Sequence, residues 1–205
     1  MISKIDEQTV FWKQIVSEEE LAILLQVALE NSATGLSEMT GKTIKVVASE
    51  LQSIPIDRIS SYVGGPETPM VGIYLLMDGD LPGQIMLMFP LSEALHLADL
   101  LLGELPGTTL ELGNLEKSAL AEAGNITASF FINKLSSITD TISRPSPPAV
   151  MIDMLGAIVD VVTASFAFMS DELLIVETIF QEENQTVQAH FWVLPYPEKL
   201  VSDVG

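Results

Sequence analysis

The chain has no cysteine, which removes a disulfide framework, a thiolate metal site and a cysteine nucleophile at one stroke. That absence fits a reducing compartment, and a cytoplasmic location is expected. Positive charge is scarce as well: 9 Lys and Arg stand against 28 Asp and Glu, for a formal net charge of -19. So negative a surface repels phosphate backbones and anionic lipid, so direct nucleic-acid binding is not expected. A protein partner with basic residues is the better match. The only histidines, His96 and His190, have no acidic or serine pattern around them, and structural roles are expected for both. No phosphate-cradling glycine loop, nucleophile elbow or HExxH zinc motif occurs. The acidic runs Glu18-Glu19-Glu20 and Asp171-Glu172 read as solvated faces rather than as metal ligands. Long uninterrupted apolar runs are missing too. The most membrane-like stretch, 149–169, contains Asp153 and Asp160, read here as lying on one face of a helix. Charges at its centre make it a costly membrane span, and no membrane insertion is expected. The N-terminal MISKIDEQTVFWKQ has no apolar core of the kind a signal peptide needs.

What is present is ample for a core. The chain has 205 residues, 48 % of them hydrophobic, enough for one sizeable domain over residues 1–205. Residues 18–39 read as an amphipathic helix stopped by Gly41, followed by a strand in TIKVVA and a loop through Pro55. Residues 71–77 and 84–89 are apolar runs across DGDLPG, which is hairpin chemistry. A helix over 92–102, with Leu95, Ala98, Leu101 and Leu102 toward the core, ends at Gly103. Then the order repeats: a long helix over 115–135, a rigid loop in SRPSPPA, a mixed segment over 150–169, and a second hairpin across QEENQT. The two long helices are offset by 99 residues. The expected fold is α+β: a single domain with internal duplication, in halves of about 17–108 and 114–201, whose antiparallel sheet packs with long helices about a pseudo-two-fold.

One stretch raises a chemical question. In SALAEAGNITAS, Ser118, Glu122 and Asn125 fall at positions i, i+4 and i+7 of the second long helix. At about 100° per residue the three share an arc of roughly 60°. An exposed helix face displays polar residues for no further reason, and that reading stays open. Against it, Asn125 beside Gly124 is locally unfavourable in a helix interior, and such conflicts mark functional positions. The small Ala119, Ala121, Ala123, Gly124 and Ala128 would let another backbone approach closely.

The pattern Ser-x3-Glu-x2-Asn-x22-Pro is complete in Ser118, Glu122, Asn125 and Pro148. It resembles the signature of the CheC/CheX/FliY phosphatases of chemotaxis, and EKSALAEAGNI, PPAVMIDMLGAIVD, LLIVETIF and GDLPGQIMLMF look like CheC segments in CheC order. The resemblance implies a phosphatase acting on the phospho-aspartate of a CheY-type response regulator. In that family the Asn amide orients the attacking water, a role that would fall to Asn125, and the Glu pairs with the regulator's lysine, a role for Glu122. Ser118 and Pro148 would be supporting signature positions. No cofactor is expected in this chain; Mg2+ is expected on the regulator. CheD is a further implied partner, through an aspartate matched by Asp153, for which helix-start capping is the open alternative.

Family members often carry the motif in both halves. The 99-residue offset places Glu19, Ile23, Gln26 and Ser49 at the four positions in the first half. Isoleucine cannot pair with lysine and glutamine is one methylene too long, so a single functional site is expected. The alternative is a non-catalytic module that sequesters a regulator or serves CheD.

Overall fold

A computed structural model describes residues 18–164, 172–182 and 189–196. In chain order the elements are α1 (Glu18–Thr40), β1 (Ile44–Pro55), a 3-10 turn (Ile56–Arg58) with the short α2 (Ile59–Tyr62), β2 (Pro69–Gly79), β3 (Gly83–Pro90), α3 (Leu91–Leu102), α4 (Asn114–Thr139), β4 (Ser143–Pro145), β5 (Ala149–Met154), α5 (Leu155–Thr163), β6 (Glu172–Glu182) and β7 (His190–Pro195). The α+β class expected from the sequence is what forms.

Period-two alternation in the central strands divides the core into two layers. Ile85, Leu87 and Phe89 of β3, with Phe191 and Val193 of β7, point to one face, where they meet Leu120, Phe131 and Leu135 of α4 and Leu25, Leu29 and Leu36 of α1. Phe131 and Phe191 meet there with ring centroids 5.3 Å apart. Met86, Met88, Trp192 and Leu194 point to the other face, which Leu155, Ile158, Val159 and Val162 of α5 cover. Helices therefore sandwich the sheet, and nearly every side chain of β3 is buried.

All pairing is antiparallel. β3 lies between β2 and β7, and β2 carries β4 and β5 on its other edge. β1 pairs with β6 from Ile44 opposite Glu182 to Pro55 opposite Glu172, and β6 lies against β7. β1 thus pairs with a strand from the C-terminal part of the chain, as β2 does with β4 and β5. Two details follow the same exchange. The Asn31 amide of α1 donates to the Phe130 carbonyl of α4 at 2.8 Å, between residues separated by the 99-residue offset. β1 has a register irregularity between Val46 and Ala48, and the offset carries this point onto the break between β4 and β5.

Several local expectations give way. β1 runs through Pro55 instead of ending in a loop, because β6 supplies a ladder partner along its length. SRPSPPA is not a loop: Pro145 pairs with Met77 and Ala149 with Tyr74, so one extra residue bulges out across Ser146–Pro148. Ser146 bridges the gap, its N–H donating to the Leu76 carbonyl at 2.8 Å and its Oγ accepting the Leu76 N–H at 2.9 Å. An edge strand tolerates proline at such a point. Asp153 and Asp160 do not share a helix face, since Asp153 ends up in β5 and Asp160 in α5. Of the stretch 149–169, residues 165–169 lie outside the described residues, as do most of the QEENQT connection and the tail beyond Tyr196. No described helix is long and apolar enough to cross a membrane.

Candidate functional site

Helix α4 forms where alanine is dense and neither proline nor a β-branched run interrupts the first three turns. It ends at Asp140, whose left-handed φ of 54° lets the N–H of Thr141 reach back to the Ser136 carbonyl at 3.1 Å. Its buried stripe is Leu120, Ala123, Gly124, Thr127, Ala128, Phe131, Ile132 and Leu135, facing the sheet. α1 packs along an adjacent side, where Gly35 sits against the Phe130 ring and Ile126. The remaining side carries the motif. Ser118 and Glu122 are exposed and Asn125 is half-buried at the edge of the packed face. Neither the Glu122 carboxylate nor the Asn125 amide hydrogen-bonds to another described residue, so both are available to a partner.

Pro148 is half-buried within the bulge, and α4 packs against both β4 and β5, the strands on either side of it. The fold therefore assembles Ser118, Glu122 and Asn125 on one stripe, with the Pro148 bulge in the strand edge beneath the same helix. Asp153 stands elsewhere, near the end of β5 opposite Met70. It is exposed between exposed Ile152 and Met154, and its carboxylate accepts only the next N–H, from Met154, at 2.8 Å. Met154, not Asp153, is the N-cap of α5, and Asp153, one residue earlier, takes the N–H of that N-cap residue. Of the histidines, His96 is half-buried with its Nε2 enclosed, and His190 begins β7. Among the described residues no three His, Cys, Asp or Glu side chains cluster as a metal site.

Three of the five small residues, Ala123, Gly124 and Ala128, turn out to have an internal use. A methyl group built on Gly124 would overlap Cγ2 of Ile73 in β2, and Ala123 and Ala128 are fully buried. The glycine lets α4 settle onto the sheet, and it is not a landing surface for a partner.

In the first half the matching stripe is chemically different. Ile23 is 59 % exposed where α4 presents Glu122, and Gln26 is turned along its own helix, its Nε2 donating to Glu30 at 3.3 Å.

One residue with a clear task was not singled out in the sequence. Asp99 of α3 is buried, and its carboxylate accepts the backbone N–H groups of Gly107 at 2.6 Å, Thr108 at 3.2 Å and Thr109 at 2.8 Å. It anchors the connection that leads into α4. Its hydrogen bonds, led by that from the Thr109 side chain, hold the carboxyl below its ordinary value against the opposing effect of burial. A lowered folded-state pKa contributes stability that is complete above the unfolded value of about 4 and is lost as pH falls through the folded value. Amide exchange at Gly107–Thr109 should therefore accelerate selectively in acid, and Asp99→Asn should abolish that pH dependence while leaving exchange fast throughout.

Residues 115–152, from the first turn of α4 through the bulge into β5, match the model of the CheC-like family. That segment holds all four signature positions. The chain is also 28 % identical over 187 residues to the CheY-P phosphatase CheC of Bacillus subtilis strain 168, covering 88 % of this chain and 90 % of that protein. Both similarities are to CheC-like proteins. Solved structures of chemotaxis and flagellar proteins share its fold. The crystal structure of Thermotoga maritima FliY superposes with a TM-score of 0.66 at 21 % identity, over 90 % of this chain and 91 % of that one. A chain of the CheX–CheY–BeF3–Mg complex of Borrelia burgdorferi superposes with a TM-score of 0.53 at 17 % identity, over 82 % and 94 %. The segment that matches the CheC-like model occupies one helix and one strand edge.

Proposed function

We propose that the chain is a cytoplasmic phosphatase for the phospho-aspartate of a CheY-type response regulator, acting in chemotaxis signalling from a single site on α4. The observation that carries this reading is the open stripe of Ser118, Glu122 and Asn125, with the acid and the amide both unengaged beside the packed face. The identity to a CheY-P phosphatase supports the same reading.

Hydrolysis needs a water in line with the bond between phosphorus and the aspartyl oxygen. That bond breaks as the water oxygen bonds to phosphorus; inorganic phosphate leaves with the water's protons, and the regulator's carboxylate is restored. The regulator supplies the phosphoryl group and the divalent ion that offsets its charge. Little covalent chemistry remains for the phosphatase, so positioning dominates. The Asn125 amide can accept from the water and donate to a phosphoryl oxygen without taking a charge itself. Its half-buried seat restricts the rotamers that would otherwise be lost on docking. Glu122, one turn away and exposed, pairs with the regulator's lysine and anchors the helix.

The test is phosphate release from a purified, phosphorylated receiver domain; no acceleration with any cognate regulator would sink the proposal. Glu122→Gln keeps the shape and removes the charge. Because an exposed ion pair contributes about 1 kcal/mol, KM should rise about five-fold with kcat little changed, and added salt should narrow the difference from wild type.

A second reading has one observation in its favour. Asp153 is exposed between two exposed apolar residues and is not the N-cap of α5, which suits a contact with a further protein such as CheD. On that reading the chain is a binding module, and Asn125→Ala would leave its physiological effect intact.

A further inference from the structure

The motif stripe is too small to hold a protein by itself. It occupies two helical turns, whereas a specific contact draws about 800 Å² from each partner. What adjoins the stripe is apolar and bare. Leu115 lies three residues before Ser118 and seven before Glu122, hence on the same side of α4, and it is 65 % exposed. In the connection ahead of the helix, Leu110 is 85 % and Leu105 79 % exposed. A link between two helices gains nothing from three leucines in water, and a local concentration of them marks an interaction surface. Five extended residues reach about 17 Å, which keeps Leu110 within one footprint of Leu115.

The segment carrying these leucines is held in shape. Asp99 takes the N–H groups of Gly107, Thr108 and Thr109, midway between Leu105 and Leu110, while its own carbonyl accepts the Glu104 N–H at 2.8 Å. The Thr108 N–H closes a turn onto the Leu105 carbonyl at 3.1 Å. A buried carboxylate spent on the loop fixes a display that would otherwise have to be ordered on binding.

We propose that Leu105, Leu110 and Leu115 form the apolar part of the surface that receives the regulator's receiver domain, and that Asp99 is the positioning residue that holds this surface beside the motif. The inference rests on the phosphatase reading above. The occupant follows from continuity: a phosphoryl group brought to Asn125 sets the rest of the receiver over the neighbouring first turn of α4. Glu104, Glu111 and Glu116 flank the leucines in the chain, so the matching face of the receiver is apolar with a basic rim.

Replacing all three leucines by serine alters only exposed side chains, so folding is spared. Losing three anchors from the surface should raise KM for the phosphorylated receiver about ten-fold or more while kcat stays near wild type. Asp99→Asn, which cannot accept all three N–H groups, should move KM in the same direction by a smaller factor, again with kcat kept. An unchanged KM in the leucine variant overturns the surface, and a fall in kcat alone for Asp99→Asn overturns the positioning role. If the wild-type chain releases no phosphate, the phosphatase reading fails by itself. Titration with the beryllofluoride-activated receiver then decides the surface: weaker binding by the leucine variant supports it, and equal binding refutes it.

Discussion

Asn125→Ala should reduce acceleration of phosphate release by about 100-fold or more, to the receiver's own hydrolysis rate, since losing one preorganised donor to a reacting oxygen commonly costs that much. Nothing else about the protein should change. Asn125 is half-buried at the edge of the packed face, and its amide makes no hydrogen bond to the described residues, so truncation leaves no orphaned partner. Alanine is also the better helix former by about 0.5 kcal/mol, which should leave the melting temperature equal or slightly higher. A rate loss with stability kept separates chemistry from folding. Asn125→Asp sharpens the test. It is the same size, but a carboxylate beside a phosphoryl group adds like charge and removes the donor, so it should be no better than alanine. Asn125→Gln reproduces the side chain found at Gln26 and should also fail, because one added methylene moves the amide by about 1 Å. An alanine variant that keeps the wild-type rate would leave α4 as a docking helix and favour the binding-module reading.

The difference between what could be read and what could not lies in the range of the interactions. α1, α4 and the β2–β3 hairpin follow from periodicity and turn residues inside each segment, and the i, i+4, i+7 stripe follows from helix geometry alone. The proline-rich SRPSPPA misled because its strand character comes from β2, some 70 residues away in the ladder between Leu76 and Ser146. For α3 the expected core face was rotated: Ala94, Leu97, Ala98 and Asp99 are buried, while Leu95, Leu101 and Leu102 are only partly so. No hydropathy pattern buries an aspartate, since what stabilises it is a set of loop N–H groups. The signal available was its place in LADLLL, an acid enclosed by leucines and alanine. The stripe of small residues was legible as a demand for close approach, but its spacing could not say to what.

Gly124 answers that last point, and it carries the largest expected loss of stability. It is buried in α4 where the helix meets β2, and a Cβ there would overlap Cγ2 of Ile73 and stand 3.2 Å from its Cβ and 3.3 Å from its Cδ1. Ile73 cannot retreat. Its Cβ is fixed to a strand that pairs with Leu87 on one side and Val150 on the other, and its branched side chain has few rotamers. For Gly124→Ala the helix gains about 1 kcal/mol of propensity against an overpacking cost of about 1–3 kcal/mol. For Gly124→Val the propensity gain shrinks and two further methyls must be placed, so a loss of about 3 kcal/mol or more is expected by denaturant titration. The effect on function should exceed the effect on stability in the alanine variant. Gly124 precedes Asn125, so a helix lifted from the sheet by a fraction of an ångström carries the amide with it, and misplacement on that scale costs about 100-fold in a positioning mechanism. Trimming the obstacle should restore the fit: Ile73→Ala removes Cγ2 and, although it opens a cavity costing about 2–5 kcal/mol on its own, it should cost less in the Gly124→Ala background. Strict additivity of the two substitutions in stability, together with an unrestored rate in the double variant, would show that the contact between Gly124 and Ile73 does not set the height of the motif helix.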